Sequence, residues 1–332
     1  EISCSLVGSE MCIRDREKQK TITVAGHYGM SLLMDVMRFP AVGETVEGLE
    51  LEIEPGGKGY NQAIAASRLD APVNFITAAG GDDFGDRCEA DLISEKVKGR
   101  YIIKFPDLKT ACAFVINTAE GQSEVYVYSG AIRSVLPEHI RKYEAVIKGS
   151  DLLLLQNELS VEALCEVFKI AGEAGIEIIY NPAPARAMPS WVFKYVTILT
   201  PNETEAAILA GLNPDEPLDV DTALERLHVL GAANVIITRG EKGSLLSVGG
   251  ARFQVDPLQG KVISTTGAGD CYNAALAVKY LETKDILEAA QYASVAAGLQ
   301  VMRPGVIANL PYREEADRVF GEYKGKMITR LE

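Results

Sequence analysis

The chain has only three histidines, His27, His139 and His228, and their spacing offers no zinc site. Its six cysteines (Cys4, Cys12, Cys88, Cys112, Cys165 and Cys271) are scattered without a C-x-x-C pair. That pattern argues against a structural metal and for reduced thiols in a cytoplasmic protein. No run of about 18 uninterrupted apolar residues occurs, so no membrane-spanning helix is expected. Positive charge is in deficit: 33 Lys and Arg against 46 Asp and Glu leave a formal net charge of -13. A nucleic-acid partner would be repelled; a nucleotide is not excluded, because its site is local. A Walker A loop is missing, and no G-x-G-x-x-G follows the first strand, which argues against a dinucleotide oxidoreductase. Asp83-Phe84-Gly85 matches the protein-kinase DFG only superficially, since no H-R-D loop accompanies it.

What is present suits an α/β protein. The 332 residues are 47% apolar, enough for one large domain or two smaller ones. Residues 1–16 stand apart: Leu6 to Arg16 back-translates onto a sequencing-library transposon adapter, so this stretch is set aside as an assembly artefact, a disordered leader being the alternative. Short β-rich runs are expected at Thr21–Gly26, Met30–Val36 and Leu49–Ile53, with a strand pair at Ala111–Asn117 and Glu124–Tyr128. From Asp151 onward apolar strands (Leu152–Leu155, Ile176–Tyr180, Val196–Leu199, Asn234–Thr238) alternate with helices such as Val161–Ala174. This pattern predicts a mostly parallel sheet covered on both faces, with polar residues gathered after the strands where such sheets bind ligands. A further strand at Val73–Ala78 and a helix over Asp86–Val97 complete the reading.

Two glycine-rich turns lead into helices. The first is Gly56-Gly57-Lys58-Gly59-Tyr60-Asn61, where close backbone approach and the Asn61 amide suit a polyhydroxyl ligand; Lys58 reads first as a surface or salt-bridged lysine. The second is Thr266-Gly267-Ala268-Gly269-Asp270, with Val262-Ile263 expected to end a strand before it. Unpaired first-turn amides and the helix dipole make an anion site there. Asp270 is placed to take a proton from an attacking hydroxyl, or merely to cap the helix.

These motifs, with Asn181 to Arg186, Thr200 to Ala206 and Thr238-Arg239-Gly240 with Gly243, resemble the ribokinase-like (PfkB-type) sugar kinases from about Ile22 to Ala316, the ribokinase branch more than the fructokinase branch. The resemblance implies a three-layer α/β/α fold over residues 21–320, with a small β-sheet lid from about 30–55 and 110–128 that often builds a dimer. It implies an ATP-dependent transfer of the γ-phosphoryl group to a sugar CH₂OH, ribose first, with deoxyribose, another sugar or a nucleoside next. A non-catalytic binding protein would be expected to have lost the Asp. Asp270 matches the catalytic base, and Gly267, Ala268 and Gly269 the anion hole. Asn202 and Glu205 match the region that positions Mg²⁺ and the phosphates. Thr238, Gly240 and Gly243 match the nucleotide loop, and Gly57, Lys58, Asn61 and Glu158 the sugar side.

Two departures stand out. Where the family carries G-x-x-N-x-D, this chain has Gly29 in place of Asn and Ser31 in place of Asp, so one hydroxyl replaces a sugar-binding carboxylate. In the monovalent-cation loop (Ser264, Thr266, Arg303, Gly305, Asn309), Ser264 replaces an Asp and Asn309 a Ser. Losing that carboxylate weakens the case for potassium activation.

Overall fold

The computed structural model describes residues 20–331; the adapter-like stretch lies outside them. The chain-ordered strands are β1 (Ile22–Ala25), β2 (Gly29–Val36), β3 (Gly48–Gly56), β4 (Val73–Gly80), β5 (Gly99–Phe105), β6 (Ala111–Thr118) and β7 (Ser123–Tyr128). They continue with β8 (Leu152–Leu155), β9 (Glu177–Tyr180), β10 (Ile198–Leu199), β11 (Val235–Thr238), β12 (Ser244–Val248), β13 (Ala251–Val255) and β14 (Ile328–Leu331). The helices are α1 (Lys58–Arg68), α2 (Asp83–Ser94), α3 (Pro137–Arg141), α4 (Glu144–Lys148), α5 (Val161–Glu173), α6 (Glu203–Leu209), α7 (Val220–Val229), α8 (Ala268–Thr283), α9 (Ile286–Val301) and α10 (Arg313–Tyr323).

Ten strands form the main sheet in the order β14-β13-β12-β11-β10-β9-β8-β1-β4-β5. From β11 to β5 every pairing is parallel, and β12 to β14 add an antiparallel edge. Continuous apolar runs suit the middle of this sheet because alternate side chains feed two different cores. Val24, Leu152, Leu154, Ile179 and Ile236 join the core that α1, α8, α9 and α10 cover. Ala25, Leu153, Leu155, Ile178 and Ile237 join the core that α5 and α7 cover. Four strands, β3-β2-β6-β7, form a separate small sheet in which β2 and β6 run parallel.

Three expectations are corrected. Val262-Ile263 ends no strand; it lies in a loop whose Ile263 and Ser264 amides donate to the Val301 carbonyl. The helix expected over Asp86–Val97 starts at Asp83, because the Asp82 side chain caps it by accepting from the Gly85 amide. Val196 and Thr197 precede β10, which is only two residues long.

Candidate active site

The site begins where β1 ends. Gly59 lies against Gly26 so closely that a Cβ on it would come within 2.6 Å of Gly26 backbone atoms. Glycine there lets the N-terminus of α1 close on the strand. Gly57 takes φ +102°, and the Tyr60 amide donates to the His27 carbonyl at 2.9 Å. The Glu158 carboxylate accepts from the Lys58 amide at 2.8 Å and lies 3.3 Å from Nδ1 of His27. Burial pushes its pKa up, but the adjacent His27 and Lys58 outweigh this and leave it lowered.

Across from this turn, Gly267 adopts the left-handed conformation and α8 starts. Its Asp270 is buried, and its two carboxylate oxygens accept from Asn61 Nδ2 and Gln62 Nε2, both at 2.9 Å. Burial raises its pKa, opposed by Lys58 and the two amide donors. The Lys58 pKa is raised in turn, chiefly by Asp270, then by Glu158 and Glu205. Lys58 is thus a half-buried ammonium in the field of three carboxylates, with no direct ion pair among the described residues; the surface or salt-bridged expectation is corrected. The Ala268 amide donates to the Thr265 carbonyl at 3.2 Å, so the unpaired amides of the turn are those of Gly267, Gly269 and Asp270. A Cβ on Gly269 would meet nothing within 4 Å, so there is open space beside the turn at this residue.

A polar ladder runs beneath, across the strand ends. Gln156 donates to Gln62 Oε1, Gln62 Nε2 reaches Asn181 Oδ1 at 3.2 Å, and Asn181 Nδ2 donates to the Thr200 carbonyl at 3.1 Å. Thr200 Oγ1 bonds Asn273 Oδ1 at 2.5 Å, and Asn273 Nδ2 returns to the Gly269 carbonyl at 2.8 Å. The ladder ties β8, β9 and β10 to the first turn of α8. Gln62 and His27 are the site residues that sequence reasoning missed. Gln62 directly follows the Gly56–Asn61 motif, and a polar residue on the otherwise Ala-rich α1 is the available signal.

On the other side of Lys58, Asn202 and Glu205 form a reciprocal capping box for α6, with bonds of 2.8 and 2.9 Å. The same Glu205 carboxyl is raised by burial and feels Lys58 and Asp270, so it borders the site as well as capping the helix. Thr238 pairs with Asn202 in a short parallel bridge. The 3₁₀ turn after it has Gly240 at φ +55° and Gly243 at φ +73°, and a Cβ on Gly243 would strike the Val255 carbonyl at 2.1 Å. A lone carboxylate beside the Asn202 amide fits Mg²⁺ held mainly by phosphates; the described residues hold no cluster of three His, Cys, Asp or Glu.

The loop expected to hold a monovalent cation does not fit one. Asn309 is buried, and its Nδ2 donates to the carbonyls of Gln300, Arg303 and Gly305 at 3.2, 3.2 and 2.5 Å. Turning the amide over would set a fourth oxygen among three, so the donor must point inward. A neutral amide fills the carbonyl cradle, and no carboxylate stands at Ser264 to balance a cation's charge. Gln300 Nε2 donates to the Thr266 carbonyl at 3.2 Å and lies 2.9 Å from where a Gly267 Cβ would be, joining this loop to the turn before Asp270. Arg303 instead pairs with Glu315.

Gly29 and Ser31 lie on β2 of the small sheet. A Cβ on Gly29 would meet the Ala111 carbonyl at 2.6 Å and His27 Nε2 at 2.8 Å, so the His27 ring fills space that a side chain at 29 would need. His27 Nε2 is buried without a hydrogen-bond partner. Ser31 Oγ leans over Gly56, 2.7 Å from where its Cβ would be.

Residues 19–313 match the family model described as pfkB family carbohydrate kinase. The chain is 35% identical to a ribokinase of Bacillus subtilis over 300 residues, 90% of this chain and 99% of the relative. It is 30% identical to a deoxyribokinase of Salmonella typhi over 303 residues, 91% and 98% of the two chains. The structure of Arabidopsis thaliana ribokinase complexed with ribose and ATP superposes with a TM-score of 0.81 at 28% identity, covering 91% and 98%.

Proposed function

The chain belongs to the pfkB family of carbohydrate kinases, phosphotransferases with an alcohol group as acceptor, and from that membership we propose that it transfers the γ-phosphoryl group of ATP to the primary hydroxyl of ribose, giving ribose 5-phosphate. The observation that carries this reading is the Asp270 carboxylate, fixed by Asn61 and Gln62 beside the unpaired amides of Gly269 and Asp270. A hydroxyl set against that carboxylate gives up its proton to Asp270 as its oxygen bonds to phosphorus. The two amides and Lys58 stabilise charge on the phosphoryl oxygens in flight. Glu158 and Asn61 orient the sugar, and His27 holds Glu158 in place. Thr238, Gly240 and Gly243 cradle the nucleotide, with Asn202 and Glu205 beside its phosphates. Mg²⁺, when bound, neutralises phosphate charge; the Glu205 carboxylate with Asn202 would hold it, partly through water. Turnover should need no potassium, because the Asn309 amide does the work of a cation in the carbonyl cradle.

Gly29 and Ser31 favour keeping a second acceptor in view, and deoxyribose leads because the Salmonella relative is named a deoxyribokinase. The test is ADP release with Mg-ATP across ribose, deoxyribose, fructose and nucleosides. Turnover with ribose that Asp270→Asn abolishes supports the proposal. Turnover with another acceptor alone moves the substrate, and silence across the panel overturns the kinase reading. The small sheet is proposed to close over the sugar and to pair with a second copy of this chain.

A further inference from the structure

Ser31 leaves the Gly29 end of β2, next to the glycine turn, without a carboxylate, since Asp35 stands four residues further along the strand, yet its cross-strand neighbour supplies one. In the antiparallel register Ser31 stands directly opposite Glu54 on β3, and Gly29 opposite Gly56. Directly paired residues share a face, so Glu54, Ser31 and Gly56 look to the same side. That side is the active-site side, because Ser31 Oγ leans over Gly56, the residue that leads into Gly57 and Lys58. Continuing the row, Ser31 pairs with Ala113 and Ala113 with Val127. Glu54 is therefore the one charged side chain in a row of small and apolar ones.

The Glu54 carboxyl also lacks a protein partner. It makes no hydrogen bond or ion pair among the described residues and is only half exposed. Burial, helped by Glu52, pushes its pKa up. A half-buried carboxylate left unpaired is unfavourable unless a ligand brings donors, and a polyol brings O–H donors. We propose that Glu54, acting from the strand beside Ser31, is the carboxylate that binds hydroxyls of the acceptor sugar, so that acceptor specificity rests on position 54 and not on position 31. This inference rests on the sugar-kinase reading above.

The test is steady-state kinetics with Mg-ATP, using ribose and then whichever acceptor of the panel the wild-type chain phosphorylates best. Glu54→Gln should raise KM for the acceptor about 10- to 100-fold, the worth of one lost charge-assisted hydrogen bond. Its kcat should stay within about 3-fold, and KM for ATP should not move. Melting temperature should not fall, because no protein contact is lost; that separates a binding defect from a folding one. Glu52→Gln, one row further out, is the control and should behave as wild type. Moving the carboxylate back, with Ser31→Asp and Glu54→Ala together, should recover most of the lost acceptor affinity. An unchanged acceptor KM in Glu54→Gln, or an equal rise in Glu52→Gln, overturns the assignment while leaving the kinase reading intact. A wild-type chain that releases no ADP with any acceptor fails the kinase reading first.

Discussion

Asp270 is buried against two amides, and ionising it there is unfavourable for the fold. Its folded pKa lies above the ordinary 3.8, so the folded state holds the proton longer than the unfolded one. The resulting stability is present at low pH and lost as pH rises through the raised value. At neutral pH the ionised group therefore opposes folding. Asp270→Asn should lower turnover about 10³-fold while leaving the melting temperature at pH 7 equal to wild type or higher. Asn61 has an unpartnered buried Oδ1 and can turn over to accept from the new amide. A lower melting temperature in the variant would mean that the carboxylate is structural. By the same sign, kcat/KM of the wild type should climb with pH along a limb whose midpoint lies above 3.8. Residues of this kind were legible where chemistry and a backbone signal coincide: Asp270 follows two glycines, and Glu158 follows a strand of four leucines. Gln62 and His27 were not, because an interior amide or imidazole announces nothing until the fold shows what it faces. Lys58 taken by itself reads as a surface or salt-bridged lysine for the same reason, since its neighbours Asp270 and Glu205 lie more than a hundred residues away.

At the scale of elements, the apolar strands β1, β4, β8, β9 and β11 could be read because burial on both faces demands continuous β-rich runs. β5 carries Arg100 and Lys104 among its apolar residues, and β12 to β14 pair antiparallel at an edge, so neither follows the rhythm of the interior. Val262 and Ile263 look like strand residues but are both exposed; a tertiary tie to Val301 fixes their loop. That loop carries a prediction. With the Asn309 amide filling the cradle, turnover and melting temperature of the wild type should be the same in potassium and in tetramethylammonium at equal ionic strength. Asn309→Ser leaves three carbonyls, the buried one of Gln300 among them, without their donor, and should lower the melting temperature by about 5 °C. Potassium should restore a large part of it, because a cation can take the vacated place. A several-fold potassium stimulation of the wild type would defeat this account, as would a serine variant indifferent to the ion.

For the whole molecule, the small sheet presents the clearest unfinished surface. On the face opposite Ser31 and Glu54 the register aligns Leu51 with Met34 and Ile116, and Ile53 with Leu32, Phe114 and Tyr126. Leu51, Ile53, Phe114 and Tyr126 are exposed side chains. A contiguous apolar patch of this kind is unusual on a chain that works alone. The acidic residues Glu50, Glu52 and Glu54 lie on the other face, so the net charge of -13 does not bar two copies from meeting here. The chain should therefore be a dimer in light scattering at micromolar concentration. Phe114→Glu with Tyr126→Glu should make it monomeric, by placing two charges where the sheets would meet. Because Ser31 and Glu54 stand on the reverse of the same strands, monomerisation should raise KM for the acceptor more than KM for ATP, whose proposed cradle lies on the main sheet. A wild-type monomer at that concentration, or a double variant that stays dimeric, would remove the small sheet from any role in assembly. An intact acceptor KM in a true monomer would instead show that one copy orders its own sugar site.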